Sequence, residues 1–179
     1  MKFHDEDIPK KIRDRINSLQ KEIEPEIGPL LQFVMTERDA VLARGDKRIA
    51  AILPVYGITE YTRWNTNKIS VVVDGVEIKV EADHALNEWV ALKIKDAEVI
   101  KRIYAFITRL QEEDVKSAIE LQESYKARGL VFKNFYESKY GMDMCFMMEY
   151  TGSKVSGIVN IPLTIAEPVI FSFTAGLTG

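Results

Sequence analysis

The residue types able to do chemistry near neutral pH are few here: two histidines, one cysteine and scattered carboxylates. His4 stands near the first residue. His84 follows Asp83, an order in which a carboxylate could orient an imidazole for acid–base work. The only thiol, Cys145, lies inside Met142-Asp143-Met144-Cys145-Phe146-Met147-Met148, a setting that predicts a buried, inert sulfur. Ser153 and Ser156 stand near glycines but outside any G-x-S-x-G elbow, and the chain has no G-x-x-x-x-G-K-[ST] or G-x-G-x-x-G phosphate loop. Glu112-Glu113-Asp114 could hold a divalent cation, as a metal-dependent hydrolase would require. An acid run at a helix start is more often a solvated face that complements the helix dipole. Four of the six methionines fall between residues 142 and 148, a density of soft sulfur that could attract Cu(I). On a strand, however, Met142, Met144, Phe146 and Met148 point one way while Asp143, Cys145, Met147 and Glu149 point the other, which splits the sulfurs. The expectation is no catalytic residue, no metal and no cofactor, with the methionines serving core or interface.

Binding chemistry has more to work with. Lys10, Lys11, Arg13, Arg15, Arg38, Arg44, Lys47, Arg48 and Arg63 crowd the first third, and Tyr56, Tyr61 and Trp64 stand near Arg63. Cations interleaved with rings suit a single-stranded nucleic acid, for which Lys10, Lys11, Arg13, Arg48, Arg63 and Trp64 are the candidate contacts. Against that, residues 1–68 hold 12 basic and 11 acidic groups, so no polyanion-binding excess is built up there.

These residues must be positioned by elements of two periods. Ile8, Ile12, Ile16, Leu19 and Ile23 recur every three or four residues, a narrow apolar stripe on a charged helix. Glu24-Pro25-Glu26-Ile27-Gly28-Pro29 predicts a break. A second helix is expected over 29–44, stopped by Gly45, and a third, short one capped by Asp46 and ending before Pro54. Ile69–Val73, Asp74-Gly75 and Val76–Val80 spell a hairpin with a tight two-residue turn. Residues 88–95 lean towards a strand through Val90, Leu92 and Ile94. Residues 96–128 contain no glycine or proline and predict a helix, with a second one starting at Glu112-Glu113-Asp114 and Gly129 as its stop. Strands are expected over Met142–Thr151, Val155–Thr164 and Pro168–Thr174, with Pro162 forcing an edge or bulged position.

The fold class that follows is α+β: N-terminal helices, a hairpin or small meander with a long central helix packed on it, and a C-terminal antiparallel β region. A chain of 179 residues suits one domain over 29–179 with a helical arm over 1–28. There is no internal sequence repeat, and no apolar run is long enough to span a bilayer. The polar start, Met1–Arg15, does not resemble a signal peptide, so the expected setting is cytoplasmic.

Charge fades along the chain. The total is −3, but residues 142–179 hold only Asp143, Glu149, Lys154 and Glu167 against 20 apolar side chains. Strands so poor in charge must be covered, by the helix around Val99–Leu110 or by other subunits. The function expected is therefore a non-catalytic assembly protein that forms homo-oligomers or joins other assembly proteins, in the manner of virus and phage particle components. Its interface candidates are Ile8, Ile12, Ile16, Leu19, Ile23, Met144, Phe146, Met148, Ile170, Phe171 and Phe173.

Overall fold

A computed structural model of the chain describes residues 9–65, 67–83, 85–137, 144–165 and 167–175. Helix α1 (Lys10–Ile52) passes through a 3-10 turn (Leu53–Tyr56) into four strands, β1 (Ile58–Asn65), β2 (Lys68–Val73), β3 (Val76–Asp83) and β4 (Glu88–Ala91). Helix α2 (Ala97–Lys126) then leads to β5 (Leu130–Glu137), β6 (Met144–Thr151), β7 (Val155–Pro162) and β8 (Ile170–Ala175). Each set of four is an antiparallel meander in chain order, β1-β2-β3-β4 and β5-β6-β7-β8. The architecture is α+β, and a helix followed by a four-stranded meander occurs twice.

The sequence suggests three N-terminal helices, and the structure has one of 43 residues with Pro25 and Pro29 inside it. Each proline removes one main-chain hydrogen bond, but tertiary contacts hold the helix together there. The Glu26 carboxylate grips the β6–β7 turn, and Ile27 and Leu30 are buried. Gly45 is no stop either. It is buried where α1 meets α2, and a Cβ there would stand 2.7 Å from the Ser117 hydroxyl. Asp46 is therefore interior to the helix and caps nothing.

α2 is likewise one helix. The Asp96 side chain caps it by accepting from the Glu98 amide at 3.0 Å, and it ends in the turn that Gly129 closes. The acids at 112–114 start no new helix, because Glu113 and Asp114 are buried in ion pairs at its middle. The two helices run antiparallel: Tyr125 donates to the Val34 carbonyl, Arg44 pairs with Glu120 and Arg48 with Glu113.

The Asp-Gly hairpin is present as read. Asp74 and Gly75 take φ of 52° and 77°, the left-handed pair that a two-residue turn between twisted strands needs. Its inward residues Ile69, Val71, Val73, Ile78 and Val80 pack on Ile103, Phe106, Ile107 and Leu110 of α2. Over 88–91 the ambiguous segment is strand β4. β1 and β5 are the two strands not anticipated one by one.

A second core joins Leu30, Val34 and Val41 of α1, Ala118, Leu121 and Tyr125 of α2, and Leu130, Met148, Val159 and Ile161 of the second sheet. The charge-poor tail is thus covered from inside by α1 and the last turns of α2, whereas Val99–Leu110 serve the first sheet. Pro162 closes the interior strand β7 opposite Cys145 rather than lying on an edge. At a strand's last residue a missing donor disturbs little.

Candidate functional site

Polar side chains converge where α1, α2 and β1 meet. The Arg63 guanidinium reaches from β1 to grip Asp114 with both terminal nitrogens, at 3.2–3.3 Å, while its Nε donates to the Tyr61 hydroxyl at 3.0 Å. Next to Asp114 on α2, Glu113 is only 2% exposed and receives three cations: Arg48 at 2.9 Å, Lys116 at 3.0 Å and Arg109 at 3.2 Å. Arg48 also donates to Ser117. Asp46 of α1, Arg63, Asp114, Ser117 and Thr164 line a cavity of about 100 Å³.

The electrostatics follow from burial. Desolvation pushes the Asp114 carboxyl up to about 6, with repulsion from Asp46 and Glu113 adding to it and the Arg63 attraction opposing it. Burial also raises Asp46. Burial would raise Glu113 too, but hydrogen bonds from Arg48 and Lys116 outweigh it and hold that carboxyl below its usual range. For Arg63, burial favours the neutral form and Asp114 overrides it. The seam can store a proton on Asp114 near pH 6. It has room for a few waters, whereas a metabolite-sized ligand needs several hundred Å³. Among the described residues no group of three His, Cys, Asp or Glu side chains could hold a metal ion, and Glu113 and Asp114 face guanidinium and ammonium groups.

Comparison with protein-family models, with curated proteins and with solved structures finds no match.

The nucleic-acid candidates do not assemble. Lys10, Lys11 and Arg13 lie at the start of α1, and Arg48 lies some 38 residues on, about 57 Å along a helix axis. Arg48 and Arg63 are committed to Glu113 and Asp114, and Trp64 is 55% exposed. Arg38 is buried, donating to the main-chain carbonyls of Pro162, Thr164 and Glu167, and Arg44 pairs with Glu120.

The interface candidates divide. Met148 is fully buried in the second core, so it faces no other chain. Phe171 is half-buried against that core and Ile170 is exposed. The side chains of Met144, Phe146 and Phe173 lie outside the described ones, as do His4, Ile8 and His84 altogether. On α1, Ile12 and Ile16 are 51% and 43% exposed, and Leu19 and Ile23 are half-buried. No residue from Lys10 to Glu26 is buried, and the body begins at Ile27.

Glu26 fixes this arm's root. It accepts from the Tyr150 hydroxyl at 3.0 Å, the Ser153 amide at 2.9 Å, the Ser153 hydroxyl at 3.1 Å and the Lys154 amide at 3.2 Å. Desolvation pushes its carboxyl up, and these bonds outweigh it and leave it below the usual range. Sequence reasoning missed Glu26, whose partners stand more than 120 residues away. Arg38 did leave a signal: a charge four residues after Val34 and three before Val41 falls on the apolar stripe, where only a buried partner can hold it.

Proposed function

We propose that this protein is a non-catalytic assembly component that self-associates through the exposed N-terminal arm of α1. One observation carries this reading. The apolar stripe Ile12, Ile16, Leu19, Ile23 runs in phase with Ile27, Leu30 and Val34, which are buried against the body, yet Ile12 and Ile16 stay open to water. The stripe continues past the point where the described residues of the body cover it, and a second chain is the natural cover. Burying one such isoleucine contributes roughly 1.5–3 kcal/mol, so a stripe of four per chain suffices for association once ordering costs are met. The buried charges of the seam are committed to one another, which fits a structural role. Arms of this kind suit closed oligomers and repeated shells such as virus or phage particles equally.

Light scattering coupled to size-exclusion chromatography tests the reading. The wild-type chain should run as an oligomer, and Ile12→Asp with Ile16→Asp should run as a monomer with an unchanged melting temperature. A wild-type chain that stays monomeric at high concentration overturns it.

A further inference from the structure

The arm carries a charge pattern that specifies how a second copy sits on it. Over 10–16 it has four basic groups, Lys10, Lys11, Arg13 and Arg15, against Asp14; over 17–24 it has Lys21 against Glu22 and Glu24. The basic half therefore lies at the free end and the acidic half at the root. Spacings of four, three and four between Ile12, Ile16, Leu19 and Ile23 place these residues on the seam of a two-stranded coiled coil. Arg15 and Glu22, each one residue before a seam position and seven apart, flank that seam on one side. Both are exposed, and among the described residues neither has an ion-pair partner.

We propose that the arms of two copies pair antiparallel about a two-fold axis; this rests on the self-association reading above. Ile16 then packs against Leu19 of the second copy and Ile12 against Ile23 of the second copy. In that register Arg15 meets Glu22 of the second copy, and the symmetry makes the pair twice. A parallel arrangement brings the two basic ends together and puts Arg15 beside Gln20 of the second copy, with no opposite charge to meet. The arm's length agrees with the antiparallel register. Lys10 falls opposite Pro25 of the second copy, so each arm ends where the other body begins, over a seam about 24 Å long. The partner is thus a second copy of this chain, with the two bodies at opposite ends of the seam.

Charge reversal at the flanking pair is the test, read by sedimentation equilibrium on the full chain. Arg15→Glu alone and Glu22→Arg alone should each weaken dimerisation roughly fivefold to thirtyfold, because both copies of the pair turn repulsive. The double variant should return to within about threefold of the wild type, since the pair is restored with its signs exchanged. Thermal melts should be unchanged, as neither residue is buried. A wild-type dimer that the single reversals leave intact, or a double variant no tighter than the singles, overturns the antiparallel pairing and leaves self-association standing. A wild-type chain monomeric at every concentration overturns both.

Discussion

The two sheets share a strand order and lean on the same helix, but their outer faces differ. On the first, Glu60, Glu77, Lys79 and Glu81 line the side away from Phe106 and Leu110, and Lys68 pairs with Glu81. On the second, Val131, Ile158 and Ile170 are 59%, 36% and 54% exposed, and Lys133–Glu149 is the ion pair among them. Docking on the helices is settled by the inner faces, which are apolar in both. The outer faces are under no such constraint, and they differ in how much charge they carry.

The largest expected effect breaks the second half outright. Deleting residues 155–179 removes β7 and β8, with buried Val155 and with Val159, Ile161 and Leu163 of the second core. That loss is on the order of 10 kcal/mol, more than many domains possess, so insoluble or unfolded protein should result. A soluble truncation with a cooperative melt would show that the first half stands alone. Removing residues 1–7 should leave the melting temperature where it is.

Two core truncations sharpen the comparison. Phe106→Ala in the first core should cost about 3–5 kcal/mol and Leu121→Ala in the second about 2–5 kcal/mol. Because α2 carries both residues, each should shift one common unfolding transition. Two transitions in a calorimetric scan, each moved by only one variant, would mean that the sheets unfold separately.

A smaller effect belongs to the first half. Asp114 holds its proton up to about pH 6 in the folded state and releases it near 3.8 when unfolded. Between those values the folded state binds more protons, so stability rises as pH falls from about 6 towards 4. Below that the lowered carboxyls of Glu113 and Glu26 must be protonated, and stability is lost again. Asp114→Asn should remove the gain between pH 6 and 4 in urea titrations at stepped pH, and a slope that survives it would place the titrating group elsewhere. Smallest of all, Glu149→Gln and Glu81→Gln each break an exposed pair and should change stability by less than about 1 kcal/mol.

Local signals were legible in the sequence and long-range ones were not. Asp74-Gly75 announces its hairpin because the turn's backbone angles are a property of two residues. The apolar faces of both helices show through their spacing. Pro25, Pro29 and Gly45 mislead for the converse reason. Each argues locally for a break, and what overrules them, Glu26 on the β6–β7 turn and Ser117 against Gly45, comes from far along the chain. The polar seam was equally hidden: Arg63 and Asp114 are 51 residues apart and nothing local to either names the other.

The link between Arg38 and the Pro162 carbonyl spans 124 residues, and it has a consequence in time. Within each sheet every pairing joins neighbours in the chain, so each hairpin can close soon after its residues are made. The middle of α1 cannot. Leu30, Val34 and Val41 meet Ala118, Leu121 and Tyr125 once α2 is made, but their core is complete only when β7 exists, and at ribosomal rates of about 5–20 residues per second that wait is on the order of ten seconds. Until then the stripe destined for the second core has at most α2 for cover.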